Sequence, residues 1–106
     1  MDDYMARQIW KFYVKEGCEE AFLKMNGLDG DWATFFKGSP DYRGTRVSRE
    51  VDSPRTYLTE DQWTSRAAFD SYVDSNRERF NELSALHEEL YEDLKHIGFF
   101  EDQELQ

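Results

Sequence analysis

Cysteine, proline, histidine and basic side chains are all scarce in this chain, and each shortage removes a class of function. A single cysteine, Cys18, cannot close an internal disulfide. Two histidines and no Cys-x-x-Cys pair leave no ligand set for a structural zinc ion. Thirteen basic against twenty-three acidic residues give a net charge of −10, which repels phosphate backbones and anionic headgroups, so neither nucleic acid nor a membrane surface is expected as a partner. No apolar run approaches the roughly 18 residues of a membrane helix. Met1-Asp2-Asp3-Tyr4 does not read as a signal peptide, so a reduced, cytoplasmic protein is expected.

Aromatic residues, by contrast, are abundant. Eight Phe, six Tyr and three Trp make 16% of the 106 residues, enough for one packed domain over 1–106, with its core at about 7–101 and an acidic tail at 102–106. Gln8-Ile9-Trp10-Lys11-Phe12-Tyr13-Val14 is rich in aromatic and β-branched side chains and reads as a strand. Cys18 to Met25 reads as a short helix, ended by Asn26-Gly27-Leu28-Asp29-Gly30, with Asp31 as cap of a second short helix through Phe36. Tyr42 to Val51 is a second strand with Thr45, Val47 and Val51 on one face, and Thr56 to Trp63 a third. The short turn between them, Asp52-Ser53-Pro54-Arg55, predicts an antiparallel hairpin. Ser65 caps a helix over Arg66 to Asn76. Three- and four-residue steps through Phe80, Leu83, Leu86, His87, Leu90, Tyr91 and Leu94 predict a further helical stretch, and Ile97 to Glu101 a closing strand.

The order β-α-β-β-α-β is that of an α+β, ferredoxin-like fold: an antiparallel sheet with helices on one face. Its strands are apolar on both sides. If Trp10, Phe12 and Val14 pack under the helices, Ile9 and Tyr13 face away from them, and so do Ile97 and Phe99 if the last strand has matching parity. Monomers seldom leave such a patch in water, so a homodimer packed sheet to sheet is expected.

Several stretches resemble the antibiotic biosynthesis monooxygenase domains over roughly residues 7 to 101. They are Val14-Lys15-Glu16-Gly17-Cys18-Glu19-Glu20-Ala21-Phe22, the segment from Gly30-Asp31-Trp32 to Phe36-Lys37-Gly38-Ser39-Pro40-Asp41-Tyr42-Arg43-Gly44-Thr45, and Tyr57-Leu58-Thr59-Glu60-Asp61-Gln62-Trp63-Thr64-Ser65-Arg66-Ala67-Ala68-Phe69. The resemblance implies a dimeric α+β barrel with an aromatic pocket in each subunit. It further implies a monooxygenase needing neither metal nor flavin, in which a small aromatic or quinol-like substrate itself supplies electrons to O2. It departs from the haem-degrading branch, whose Asn and His positions hold Trp10 and Val73 here. It also departs from the polyketide-oxidising relatives, whose Asn four residues before the Trp is Thr59.

On that reading Trp63 is a pocket wall or a core anchor, and Trp10, Phe12, Trp32 and Tyr72 line the pocket for the ligand. Thr59 or His87 supplies the polar contact, His87 as a proton acceptor on an otherwise apolar stripe. Asp61 shares strand parity with Thr59 and Trp63, but a solvated strand-end charge is the stronger reading. His96 is assigned to the carbonyls that end the last helix. Two further functions fit the same pattern: a non-catalytic homodimer that binds a small hydrophobic ligand or a protein, and an isomerase with His87 as base.

Overall fold

A computed structural model describes residues 5–103. Its elements run β1 (Ala6–Val14), α1 (Glu19–Asn26), α2 (Asp31–Phe36), β2 (Tyr42–Arg49), β3 (Thr56–Trp63), α3 (Arg66–Ser75), α4 (Arg77–Glu88) and β4 (Tyr91–Glu101). The four strands form one antiparallel sheet in the order β2-β3-β1-β4, the ferredoxin-like arrangement with helices on a single face.

Strand alternation decides which side chains meet the helices. On β1, Ala6, Gln8, Phe12 and Val14 are buried. Tyr57, Thr59, Asp61 and Trp63 of β3 lie opposite Phe12, Trp10, Gln8 and Ala6, which places both sets on the same face. Phe12, Val14, Phe22 and Tyr57 form one core cluster. A second gathers around Trp63, which is completely buried with Phe36, Tyr42, Phe69 and Tyr72 at ring-centroid distances of 5.3, 5.4, 5.4 and 6.0 Å.

Local chemistry sets the helix ends. Ser65 Oγ accepts a hydrogen bond from the Ala68 amide at 3.0 Å and caps α3 as its sequence predicts. Asp31 does not cap α2: Gly30 holds that position, Asp31 is the first helical residue, and no side-chain cap bond forms. Gly30 is required there. A Cβ would stand 2.3 Å from the Lys24 carbonyl oxygen and 2.4 Å from that of Met25, so any other residue would push α2 away from the end of α1.

The C-terminal third departs from its sequence pattern. Helix α4 stops at Glu88, and Tyr91 and Leu94, whose spacing continues the helical stripe, belong to β4. The reason is pairing. Strand β1 is central, and a closing strand limited to 97–101 would leave the edge of Phe12, Tyr13 and Val14 that faces away from β3 without ladder partners. The longer strand supplies Leu94, Asp93 and Tyr91 opposite them. His96 consequently sits on β4, its ring 4.4 Å from that of Trp10, rather than at a helix end.

Register also shifts between Ile9 and Trp10, where Ile9 pairs with Gly98 and Trp10 with His96. That irregularity moves Phe99 to the helix face, opposite Gln8 and 5.5 Å from the Phe69 ring, whereas Ile97 and Phe100 stay exposed. Simple parity thus misplaces Phe99. Val51 lies beyond β2 in the hairpin turn, 87% exposed, instead of sharing the buried face.

Candidate active site

Between sheet and helices lies a cavity of about 270 Å³. Its floor is the sheet: Gln8, Trp10 and Phe12 from β1, Thr59 and Asp61 from β3, Tyr91 and Leu94 from β4. Its roof is helical: Asn26 from α1, Trp32 and Phe36 from α2, Phe69 from α3, and Phe80, Ser84 and His87 from α4. Neither lysine nor arginine is among these residues. The wall is aromatic and, besides the Tyr91 phenol, carries two ionisable groups of opposite type, His87 above and Asp61 below.

His87 is buried in a ring of aromatic side chains, with Phe12, Tyr91, Phe22 and Trp32 at centroid distances of 4.9, 5.4, 5.5 and 5.8 Å. Its tautomer follows from its neighbour. The Asn26 amide nitrogen donates to the Phe22 carbonyl at 2.9 Å, which fixes the amide's orientation, and it lies 2.9 Å from His87 Nε2. An amide nitrogen has no lone pair to offer, so Nε2 must accept, and the ring proton resides on Nδ1. Burial pushes the imidazole pKa down to about 4. At neutral pH His87 is therefore an uncharged donor.

Asp61 is partly shielded and opens onto the cavity. Thr45 of β2, directly across the ladder, donates its hydroxyl to Asp61 Oδ1 at 2.7 Å. Having one proton to give, Thr45 Oγ1 must accept from the Tyr42 hydroxyl that contacts it. Burial raises the Asp61 pKa to about 6, against which the Thr45 hydrogen bond acts. Burial also raises that of Tyr42, and the Asp61 charge adds to the effect. The carboxylate is thus poised close to neutrality rather than being a solvated strand-end charge.

Of the residues singled out in the sequence, the fold brings Trp10, Phe12, Trp32, Thr59 and His87 to one cavity. It does not bring Trp63 or Tyr72 to the wall. Trp63 lies behind Phe36 and Phe69, and Tyr72 spends its hydroxyl on the Phe35 carbonyl at 2.6 Å. Strand parity with Trp10 and Phe12 marks Gln8, which the sequence reading passed over. Asn26, Phe80 and Ser84 carry no comparable mark, because α1 and α4 meet over the cavity only in three dimensions.

Comparison with known proteins fits this geometry. Residues 5–89 match the antibiotic biosynthesis monooxygenase family. The chain belongs to that family. SnoaB, a cofactor-independent oxygenase from Streptomyces nogalater, is 20% identical, with a TM-score of 0.69 over 98% of this chain and 97% of its own. PA3566 from Pseudomonas aeruginosa is 17% identical, with a TM-score of 0.63 over 100% and 98% of the two chains. A conserved protein from Methanosarcina mazei is 14% identical, with a TM-score of 0.65 over 92% of each. At these identities the likeness is one of fold. No curated protein sequence matches. Among the described residues no helix is long and apolar enough to cross a membrane, and no group of three or more His, Cys, Asp and Glu is placed to hold a metal ion.

Proposed function

We propose that this member of the family is a cofactor-independent monooxygenase acting on a small, uncharged phenol- or quinol-like molecule. The observation that carries the reading is the cavity: walled by aromatic rings, free of cationic side chains, and provided with a neutral donor at His87 and an acceptor at Asp61. Flat rings favour a flat ligand. The volume falls just below the usual range for drug-sized ligands of about 300–1,000 Å³, which favours a small one. Without Lys or Arg on the wall, a carboxylated or phosphorylated ligand would find no counter-charge. SnoaB, described as a cofactor-independent oxygenase, supports the chemistry by analogy of fold.

The reaction balances without an external reductant. In an anthrone, the keto tautomer of a fused-ring phenol, the ring methylene plus O2 gives a carbonyl and one water, the substrate supplying all four electrons. The protein's share is to bind the ring between Trp10, Phe12 and Trp32, to hold the substrate oxygens with His87 Nδ1–H and Thr59, and to keep water away. Trp63 and Tyr72 support Phe36 and the α2–α3 corner from behind. With Nε2 occupied by Asn26, His87 donates, which favours the oxygenase over an isomerase that uses this ring as base.

The test is oxygen uptake with a panel of anthrones and hydroquinones. Uptake that His87→Ala and Trp10→Ala each reduce at least tenfold supports the reading. Tight binding with no uptake from any member would replace it with a ligand-binding module of the same fold.

The open face of the sheet supports a homodimer as the working form. Ile9, Leu58, Ile97 and Phe100 border a shallow apolar depression of about 550 Å³ there, with Ile97 and Phe100 40% and 48% exposed. A second copy laid on this face would cover it.

A further inference from the structure

We propose that Asp61 is the base of this site, accepting the ring-hydroxyl proton of the bound phenol, and that Thr45 and Tyr42 are the positioning residues that hold it. The inference rests on the reading of the cavity as a phenol site and adds to it the identity of the proton acceptor.

Three geometric facts carry it. Asp61 is the carboxylate on the cavity wall. Its Oδ1 is held by Thr45 at 2.7 Å, and Thr45 is in turn held by Tyr42. No other hydrogen bond reaches the Asp61 carboxylate among the described residues, so its second oxygen remains available to a ligand. The chain runs one way: Tyr42 donates to Thr45 and Thr45 to Asp61, so neither hydroxyl can take a proton from the ligand, whereas the carboxylate can. In the step, the ligand O–H bond breaks, the proton passes to the free Asp61 oxygen, and the electron pair stays on the ligand oxygen. The resulting phenolate is the electron-rich form that reacts with O2.

Other groups around the carboxylate do not substitute for it. Gln8, across the ladder on β1, is an amide whose Nε2 lies 3.3 Å from Nε2 of His96 on β4. From α4, His87 presents a donor and Ser84 a hydroxyl; from β4, Tyr91 presents a phenol whose pKa burial raises. Trp32 of α2 and Phe69 of α3 bring no acceptor. His87 stays neutral down to about pH 4 and so does not titrate where Asp61 does, near pH 6.

The test uses 2-naphthol, whose hydroxyl becomes strongly acidic in the excited state and whose anion emits at longer wavelength. With the probe excited beyond the tryptophan band, naphthol bound to the wild-type protein at pH 7.5 is expected to emit as naphtholate, and bound to Asp61→Asn as neutral naphthol. In wild type the anion emission disappears as pH falls through about 6, while the probe stays bound. That profile decides the matter even if Asp61→Asn fails to fold. Thr45→Val removes the hydrogen bond that lowers the Asp61 pKa, so its midpoint moves to higher pH. An unchanged midpoint overturns the positioning role. Bound naphthol that emits as neutral in wild type, or equally as anion in Asp61→Asn, overturns the base while the phenol site stands. Absence of naphthol binding to wild type overturns both.

Discussion

Two ionisable side chains with opposite preferences, the buried His87 and the partly shielded Asp61, govern this protein at the residue scale. Folding keeps His87 neutral, with a pKa near 4 against an ordinary 6.5, so the unfolded chain binds a proton that the native state refuses. This contribution is complete above pH 6.5 and is lost as pH falls towards 4, amounting to about 3 kcal/mol. Asp61 has the opposite sign. Its native pKa of about 6 lies above the ordinary 3.8, so protonation favours the native state, and stability rises by about 3 kcal/mol as pH falls from 6 to 3.8. The two offset each other across the same window. We therefore expect urea midpoints of Asp61→Asn to fall more steeply between pH 6.5 and 4 than those of wild type, and midpoints of His87→Gln to rise relative to wild type. Parallel profiles for all three proteins would contradict the assignment. Trp63 tests the other kind of burial. Its replacement by Ala is expected to cost about 3–5 kcal/mol. Trp63→Phe should cost clearly less, because the indole N–H has no partner to lose. Equal losses in denaturant titrations would argue against this. His87 was legible as a buried histidine on an apolar stripe; its tautomer was not, because Asn26, sixty-one positions away, fixes it.

At the scale of elements, local chemistry and pairing compete, and the C-terminal third shows which prevails. Capping was readable where one side chain suffices: Ser65→Ala should lower stability by about 1 kcal/mol, measured as a shift in the urea midpoint without a change in slope. The α4–β4 boundary was not readable, since Leu90, Tyr91 and Leu94 continue a helical spacing that the empty edge of β1 overrides. Gly98 marks the irregular stretch of that strand. Its φ of +152°, together with a would-be Cβ 3.0 Å from Phe100 Cε1, reserves the position for glycine. We expect Gly98→Val to cost about 1–3 kcal/mol and to disturb Phe99 and Phe100, whose faces the shift in register sets. A variant as stable as wild type would remove glycine's conformation from the account. Gly30 has a different office: by letting α2 start against the carbonyls that end α1, it brings Trp32 over the cavity.

For the whole molecule, the sheet has two apolar faces and the helices cover one. Ile9, Leu58, Ile97 and Phe100 on the other predict a dimer by sedimentation equilibrium at micromolar concentration. Leu58→Glu should shift it to monomer while leaving the circular dichroism of the fold intact, and a monomeric wild type would refute the interface. Composition and patterning alone determined much of this protein. They gave the acidic charge balance, the β-α-β-β-α-β order, the two-faced strands and several of the aromatic side chains that reach the cavity, because strand alternation and helical periodicity are local properties of the chain. Only the tertiary structure decided which of those aromatics form the wall and which stand behind it. It alone seated Thr45 and Tyr42 on Asp61, and only it extended β4 along β1 and turned Phe99 inward. The physical reason is common to these cases. Cavity walls, the tautomer of a buried ring and the pKa of a shielded carboxylate depend on groups that are far apart in sequence and meet only once the sheet has closed beneath its helices.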